Sequence, residues 1–211
     1  MLEFPGGLYA LTFETADTGH LLRQVEAALA GGVAAVQYRD KSGDVARRHE
    51  QASELVALCR RFGAPLIVND DLRLADLAGA DGVHLGRDDG SLREARIILG
   101  PGKFIGASCY QSLDLARAAQ AAGADYVAFG SFFASRTKPD APRASLDLLR
   151  DAAPLIQVPL VAIGGITPAN APSLLDAGAD SLAVLSALFD TPDVRIAAHD
   201  LNQLFETESE E

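Results

Sequence analysis

Ala78-Gly79-Ala80-Asp81, Ala122-Gly123-Ala124-Asp125 and Ala177-Gly178-Ala179-Asp180 are one phrase written three times; each copy closes a helical pattern and opens an apolar run. Ala30-Gly31-Gly32 ends a helical pattern in the same way. A glycine just past a helix can take the left-handed conformation, satisfying the last carbonyls while the chain turns into a buried strand. Gly31, Gly79, Gly123 and Gly178 therefore read as C-caps. They lie 48, 44 and 55 residues apart, near two strand–helix units rather than one, so a further strand is expected within each interval.

Working outward from the phrase gives eight short apolar runs: Leu8–Phe13, Ala34–Arg39, Leu66–Asn69, Gly82–Gly86, Phe104–Ser108, Tyr126–Gly130, Leu160–Gly164 and Ser181–Leu185. Helical segments separate them, clearest at Gly19–Ala30, Asp44–Phe62, Ser91–Leu99, Ser112–Ala122, Pro168–Ala177 and Asp193–Phe205. Runs such as Pro65-Leu66-Ile67-Val68 are apolar on both faces, as in a parallel strand with helices outside and side chains filling the inside. The fold expected is α/β, a single (β/α)8 TIM barrel over residues 1–205; periodicity alone leaves a doubly wound sheet open. The acidic tail 206–211 has no apolar face and repels itself, so it reads as a frayed, disordered end.

With 211 residues, 48% of them hydrophobic, the chain can close one sizeable core but is short for two α/β domains. Its net charge of −11 would repel nucleic acid and anionic membrane at long range, so neither is expected as a partner. An anionic ligand must therefore meet a locally basic pocket. No run is long enough to span a bilayer and Met1–Ala16 lacks the features of a signal peptide, which makes a cytoplasmic location the simplest expectation. Cys59 and Cys109 lack metal-ligand spacing and read as reduced thiols.

In a barrel of this kind the active site is built at the C-terminal ends of the strands, and there the polar residues collect. Arg39 and Lys41 stand two apart in extended chain, on one side, where they could grip a diphosphate; solvated surface charge is the alternative. Asp70 and Asp89 follow neighbouring strands and could hold a hard cation that retains water and shares a substrate phosphate, as magnesium does. They could instead form an acid/base pair, but Asn69 and the nearby cations favour metal. Asp71 and Asp88 read better as helix N-caps. The long connection Ser131–Ala144, with Ser135-Arg136-Thr137-Lys138, reads as a phosphate-binding loop that could close over the site.

Gly164-Gly165, with Thr167-Pro168 opening a helix, and Ser186 match the phosphate cradle that barrels place after strands seven and eight. His84 lies inside a strand and is equally a hydrogen-bonded barrel histidine or a catalytic base. His20, His49 and His199 fall on helices as surface or interface residues. No nucleophile–base spacing of a hydrolase and no dinucleotide glycine fingerprint is present.

At these residues the sequence closely resembles the thiamine phosphate synthase family, through nearly the whole chain. The motifs are Gln37-Tyr38-Arg39-Asp40-Lys41, Val68-Asn69-Asp70-Asp71, Gly82-Val83-His84-Leu85-Gly86-Arg87-Asp88-Asp89, Ile105-Gly106-Ala107-Ser108, Ser135-Arg136-Thr137-Lys138 and Ile163-Gly164-Gly165-Ile166. The resemblance implies a magnesium-assisted transferase of thiamine biosynthesis. It would join hydroxymethylpyrimidine diphosphate to hydroxyethylthiazole phosphate, releasing pyrophosphate.

Carried onto this sequence, the pyrimidine diphosphate site is Gln37, Tyr38, Arg39, Asp40, Lys41, Asn69, Ser108 and Lys138, and the magnesium ligands are Asp70 and Asp89. Arg39, Lys41, Ser108 and Lys138 would be catalytic. The thiazole phosphate site is Ser135, Arg136, Thr137, Gly165, Leu185 and Ser186. Three positions depart from the usual pattern: Ser135 for threonine, Leu185 for a β-branched residue and Tyr110 for histidine. The last bears on the alternatives, a thiazole tautomerase-like enzyme, which uses a histidine in that neighbourhood, or a non-catalytic phosphate-binding barrel. The expected partners are phosphorylated small molecules, and homo-oligomerisation is compatible with the sequence.

Overall fold

A computed structural model describes residues 3–134 and 142–206. Eight parallel strands close in sequence order into a barrel: β1 (Gly7–Leu11), β2 (Ala35–Tyr38), β3 (Leu66–Asn69), β4 (Gly82–Leu85), β5 (Phe104–Tyr110), β6 (Tyr126–Gly130), β7 (Leu160–Ile163) and β8 (Ser181–Val184). Between them run α1 (Thr18–Ala30), α2 (Val45–Phe62), α3 (Leu72–Ala78), α4 (Leu92–Leu99), α5 (Leu113–Ala121), α6 (Leu146–Ala152) and α7 (Pro172–Leu175). The short α8 (Ser186–Phe189) and α9 (Val194–Glu206) follow β8. The parallel sheet closed on itself settles the choice between barrel and doubly wound fold.

The repeated phrase works at the bottom of the barrel. Gly79, Gly123 and Gly178 take positive φ, as expected of helix-ending glycines. In the fourth instance it is Gly32 that does so, with φ 101, while Gly31 has φ −91. Gly31 is small for a different reason: a Cβ there would fall 2.6 Å from Ala198 of α9, which packs on α1.

The aspartate of each copy has a duty that spacing alone does not reveal. Asp81 accepts a hydrogen bond from the N–H of Leu66 at 3.0 Å, Asp125 from Ile105 at 2.7 Å and Asp180 from Leu160 at 2.7 Å. Each carboxylate thus satisfies the first free N–H of the preceding strand, and Leu66, Ile105 and Leu160 accept in return from the same aspartates' own N–H groups. The two-unit period of the phrase is the period of this reciprocal clasp between neighbouring strands.

Strand alternation divides the core in two. Leu8, Val36, Val68, Val83, Ile105, Val127, Leu160 and Leu182 face the helices. Tyr9, Leu11, Ala35, Ile67, Phe104, Tyr126, Ala128, Val161 and Ala183 fill the lumen. Phe4, 1% exposed, closes the lumen from below, stacked on Tyr126 at 4.0 Å and edge-on to Tyr9 and Phe104. Cys59 and Cys109 are free, buried thiols, both pushed up to about 12 by burial.

Two helix starts differ from expectation. The N-cap of α4 is Ser91, not Asp88. The helix expected from Pro168 begins at Pro172, because Asn170 instead forms a turn: its side chain accepts from Thr167 N–H at 2.8 Å and donates to Gly165 O at 3.0 Å. Asp71 does cap α3, accepting from Leu74 N–H.

Candidate active site

The ends of the strands open onto a cavity of about 970 Å³. Alternation along β2 sends Gln37 and Arg39 into it and turns Tyr38 the other way. Tyr38 lies in the helix–sheet layer, 2% exposed, and donates to Gln51 of α2 at 2.8 Å. Asp40 is likewise no pocket residue. Its buried carboxylate accepts from the N–H and hydroxyl of Ser42, at 2.8 and 2.5 Å, and meets Arg47 at 3.5 Å. Burial works against its charge, but Ser42 and then Arg47 hold the carboxyl below its ordinary value. Tyr38 and Asp40 are therefore corrected from ligand contacts to parts of the frame.

That frame aims the cations. Thr12 accepts from Arg39 N–H at 3.0 Å and Glu14 from Lys41 N–H at 3.0 Å, so the end of β1 holds the chain leaving β2. Among the described residues, the Arg39 guanidinium has no carboxylate partner, and it lines the cavity with Lys41. Lys41 Nζ stands 3.3 Å from Asp70 Oδ2.

Asp70 and Asp71 part ways at the end of β3. Asp71 is occupied by its cap and by Arg48 at 3.0 Å. Asp70 has φ 63, a conformation that carries strain in a residue other than glycine, and donates its N–H to His84 O at 2.8 Å. It lines the cavity with Asn69 and Asp89. Asp89 accepts from Gly86 N–H at 2.9 Å. Its carboxyl is raised, first by burial and then by the Asp70 carboxyl beside it, against the pull of Gly86 and Lys41. Two carboxyls that disfavour each other's charge are what a shared cation would relieve.

β5 carries an irregularity of register between Ser108 and Tyr110, and Tyr110 has φ 53. The bulge brings Ser108 to the cavity and Tyr110 to its rim, where its hydroxyl accepts from Arg87 N–H at 3.3 Å beneath the Arg87 guanidinium, 5.2 Å from the ring centroid. On the far side, Gly164 and Gly165 have φ 108 and 64. A Cβ on either would strike the segment after β6: at Gly164, Ser131 Cα at 2.8 Å, and at Gly165, the Phe133 carbonyl carbon at 2.9 Å. Leu185 and Ser186, at the start of α8, complete that side. Leu11, Ala128, Val161, Ile163 and Ala183 give the cavity an apolar flank.

The floor is a buried polar chain. Gln37 Nε2 donates to the Tyr9 hydroxyl at 2.9 Å; that hydroxyl meets Tyr126 Oη at 2.9 Å, Tyr126 meets His84 Nδ1 at 3.0 Å, and His84 Nε2 meets Ser108 Oγ at 2.9 Å. His84 is thus a hydrogen-bonded barrel histidine. Burial pushes its pKa down to about 4, slightly opposed by Asp89, so the ring is neutral at pH 7. Tyr9, Thr12 and Tyr126 were not singled out from the sequence. Thr12, a hydroxyl closing an apolar strand, carried a readable signal; the tyrosines, inside apolar runs, look like core.

Gln37, Arg39, Lys41, Asn69, Asp70, Asp89, Ser108, Gly165, Leu185 and Ser186 therefore share one cavity. Ser135, Arg136, Thr137 and Lys138 lie outside the described residues.

Comparison with known proteins matches residues 8–188 to the family described as thiamine monophosphate synthase. The chain belongs to this family. It is 78% identical over all 211 residues to a thiamine-phosphate synthase of Thiobacillus denitrificans, covering the whole of both chains. It is 57% identical to the enzyme of that name from Chromobacterium violaceum, covering 92% of this chain and 94% of the other. A solved thiamine phosphate pyrophosphorylase from Pyrococcus furiosus superposes with a TM-score of 0.85 at 36% identity, covering 95% of this chain and 96% of that one. Membership makes the chain an enzyme, a transferase of thiamine biosynthesis with thiamine-phosphate synthase activity. No helix among the described residues is long and apolar enough to cross a membrane.

Proposed function

We propose that this cavity joins hydroxymethylpyrimidine diphosphate to hydroxyethylthiazole phosphate, giving thiamine phosphate and pyrophosphate by a magnesium-assisted dissociative substitution. The observation that carries the reading is one cavity with a cationic side, a glycine-rich side opposite it and an apolar flank. Arg39 and Lys41 follow β2, Asn69 ends β3 and Ser108 lies on β5, while Gly164, Gly165 and Ser186 follow β7 and β8. One side suits a diphosphate, the other a single phosphate met by backbone N–H groups.

Arg39 and Lys41 oppose the charge that builds on the diphosphate as its bond to the pyrimidine methylene breaks. Asn69 and Ser108 add neutral hydrogen bonds on the same side. Asp70 and Asp89 would hold magnesium, which when bound neutralises phosphate charge while keeping water in its remaining positions. The thiazole nitrogen then attacks the methylene carbon, so no protein nucleophile is required, in keeping with two cysteines buried as thiols. The Phe4 plug closes the lumen below, and the apolar flank offers competing water no hydrogen-bond partner beside the carbocation left when the diphosphate departs. The same reading places the reaction in the cytoplasm and needs no nucleic acid or membrane partner.

Purified protein mixed with both substrates and magnesium should yield thiamine phosphate and pyrophosphate in equal amounts. Binding of both substrates without product would instead favour a non-catalytic barrel.

A further inference from the structure

The chain Gln37–Tyr9–Tyr126–His84–Ser108 has a direction, and the direction fixes where the Ser108 proton points. Tyr9 and Tyr126 are 2% and 0% exposed, and burial raises both phenols, so each keeps its single proton. Tyr9 Oη accepts from Gln37 Nε2, and among the described residues its only other hydrogen-bond partner is Tyr126. Were Tyr126 the donor, the Tyr9 proton would have no acceptor among the described residues, a costly state for a hydroxyl this buried. Tyr9 therefore donates to Tyr126, and Tyr126 spends its own proton on His84 Nδ1. The neutral ring then carries hydrogen on Nε2 and donates to Ser108 Oγ. Ser108 has no other partner among the described residues, so its hydroxyl hydrogen turns away from His84 into the cavity.

We infer that Tyr9, Tyr126 and His84 are positioning residues, a one-way hydrogen-bond relay that presents Ser108 as an obligate donor to an acceptor atom of the bound pyrimidine diphosphate. The acceptor's identity rests on the function proposed above; the direction of the relay does not. The geometry also ties the two ends together: the Gln37 amide is oriented by the same chain that orients Ser108, although the two side chains stand on β2 and β5. Tyr126 stands between Tyr9 and His84, and His84 is the partner of Ser108, so a break at Tyr126 is felt at Ser108.

Two measurements test this on the full-length protein. Long-range ¹H–¹⁵N spectra at neutral pH, with His84 identified by loss of its signals in His84→Gln, should show one tautomer with hydrogen on Nε2. Tyr126→Phe should turn that into a tautomer mixture. Hydrogen on Nδ1 in the wild type, or an Nε2–H state unmoved by Tyr126→Phe, overturns the relay whether or not the protein turns over these substrates. In turnover, Tyr126→Phe and Ser108→Ala should each lower kcat by about tenfold, the scale of one well-placed hydrogen bond, with KM changed by less than about twofold. The double variant should be no slower than Ser108→Ala alone, because both changes remove one donation. Losses that multiply in the double variant would make Tyr126 merely structural and refute the inference.

Discussion

Gly106→Ala is a one-methyl change in β5 that should damage both stability and turnover, because the Cβ it adds points into the Tyr126 ring. An ideal Cβ there would lie 2.5 Å from Tyr126 Cε1 and nearer still to Cζ and Oη. Carbon atoms rest about 3.5–4.0 Å apart, so the ring must retreat by more than about 1 Å. It has nowhere to go. Phe4 stacks on it at 4.0 Å, it is 0% exposed, and its hydroxyl holds Tyr9 at 2.9 Å and His84 at 3.0 Å.

Overpacking of this kind costs about 1–3 kcal/mol, and stretching two hydrogen bonds out of range adds about 0.5–1.5 kcal/mol each. The reduced freedom of the unfolded chain returns about 0.4–1 kcal/mol. The expected net loss is about 1–5.5 kcal/mol, read from urea unfolding. Gly102→Ala, whose Cβ would meet nothing within 4 Å, is the control and should lose no stability, gaining about 0.4–1 kcal/mol from the same unfolded-chain effect. A Gly106→Ala protein as stable as the Gly102→Ala control would refute the packing argument.

Three further outcomes are expected. His84 is held neutral with its pKa lowered to about 4, against about 6.5 unfolded; stability should therefore be intact above about pH 6.5 and decline by up to about 3 kcal/mol as pH falls towards 4. Urea midpoints without divalent cation should show this slope in the wild type and lose it in His84→Gln; an unchanged slope in the variant would assign the titration elsewhere. Asp125→Ala should destabilise more than Asp180→Ala, by about 1 kcal/mol, since Asp125 alone of the two also holds Arg96, at 2.5 Å; equal losses by thermal unfolding would remove the ion pair from the account. Asp70→Asn and Asp89→Asn should each abolish magnesium-dependent product formation while leaving the far-ultraviolet circular dichroism intact, and undiminished turnover in both would sink the metal assignment.

The barrel was legible because its determinants are local. Helix-ending glycines and runs such as Leu66-Ile67-Val68 announce themselves within a few residues, and strand order then follows from right-handed βαβ connection. The aspartate of the repeated phrase was visible but not its purpose, since its partner N–H lies 15 to 20 residues back along the chain.

In the site, the charged strand ends meet in one cavity, whereas Tyr38 and Asp40 turn away from it. A contiguous motif does not distinguish its members, whereas alternation along β2 and the chain leaving it sends every second side chain away from the cavity. Tyr9 and Tyr126 escaped for another reason. Their hydroxyls meet across 117 residues of sequence, and a tyrosine within an apolar strand gives no sign of whether its hydroxyl has a partner. Pro168 shows the local signal outvoted by Asn170, which builds a turn where a helix start was expected.

The central claim is that one cavity has two anion-binding sides with separate duties, and calorimetric titration with each substrate alone tests it most directly. In the presence of magnesium, Arg39→Ala should weaken the pyrimidine diphosphate by about 10–100-fold, the worth of a charge-assisted contact, and leave the thiazole phosphate within about twofold of wild type. Gly165→Ala, which must displace the Phe133 segment and spoil a backbone turn at φ 64, should do the reverse. If both variants weaken the same ligand, or both ligands equally, the two sides do not have separate duties and the account is wrong.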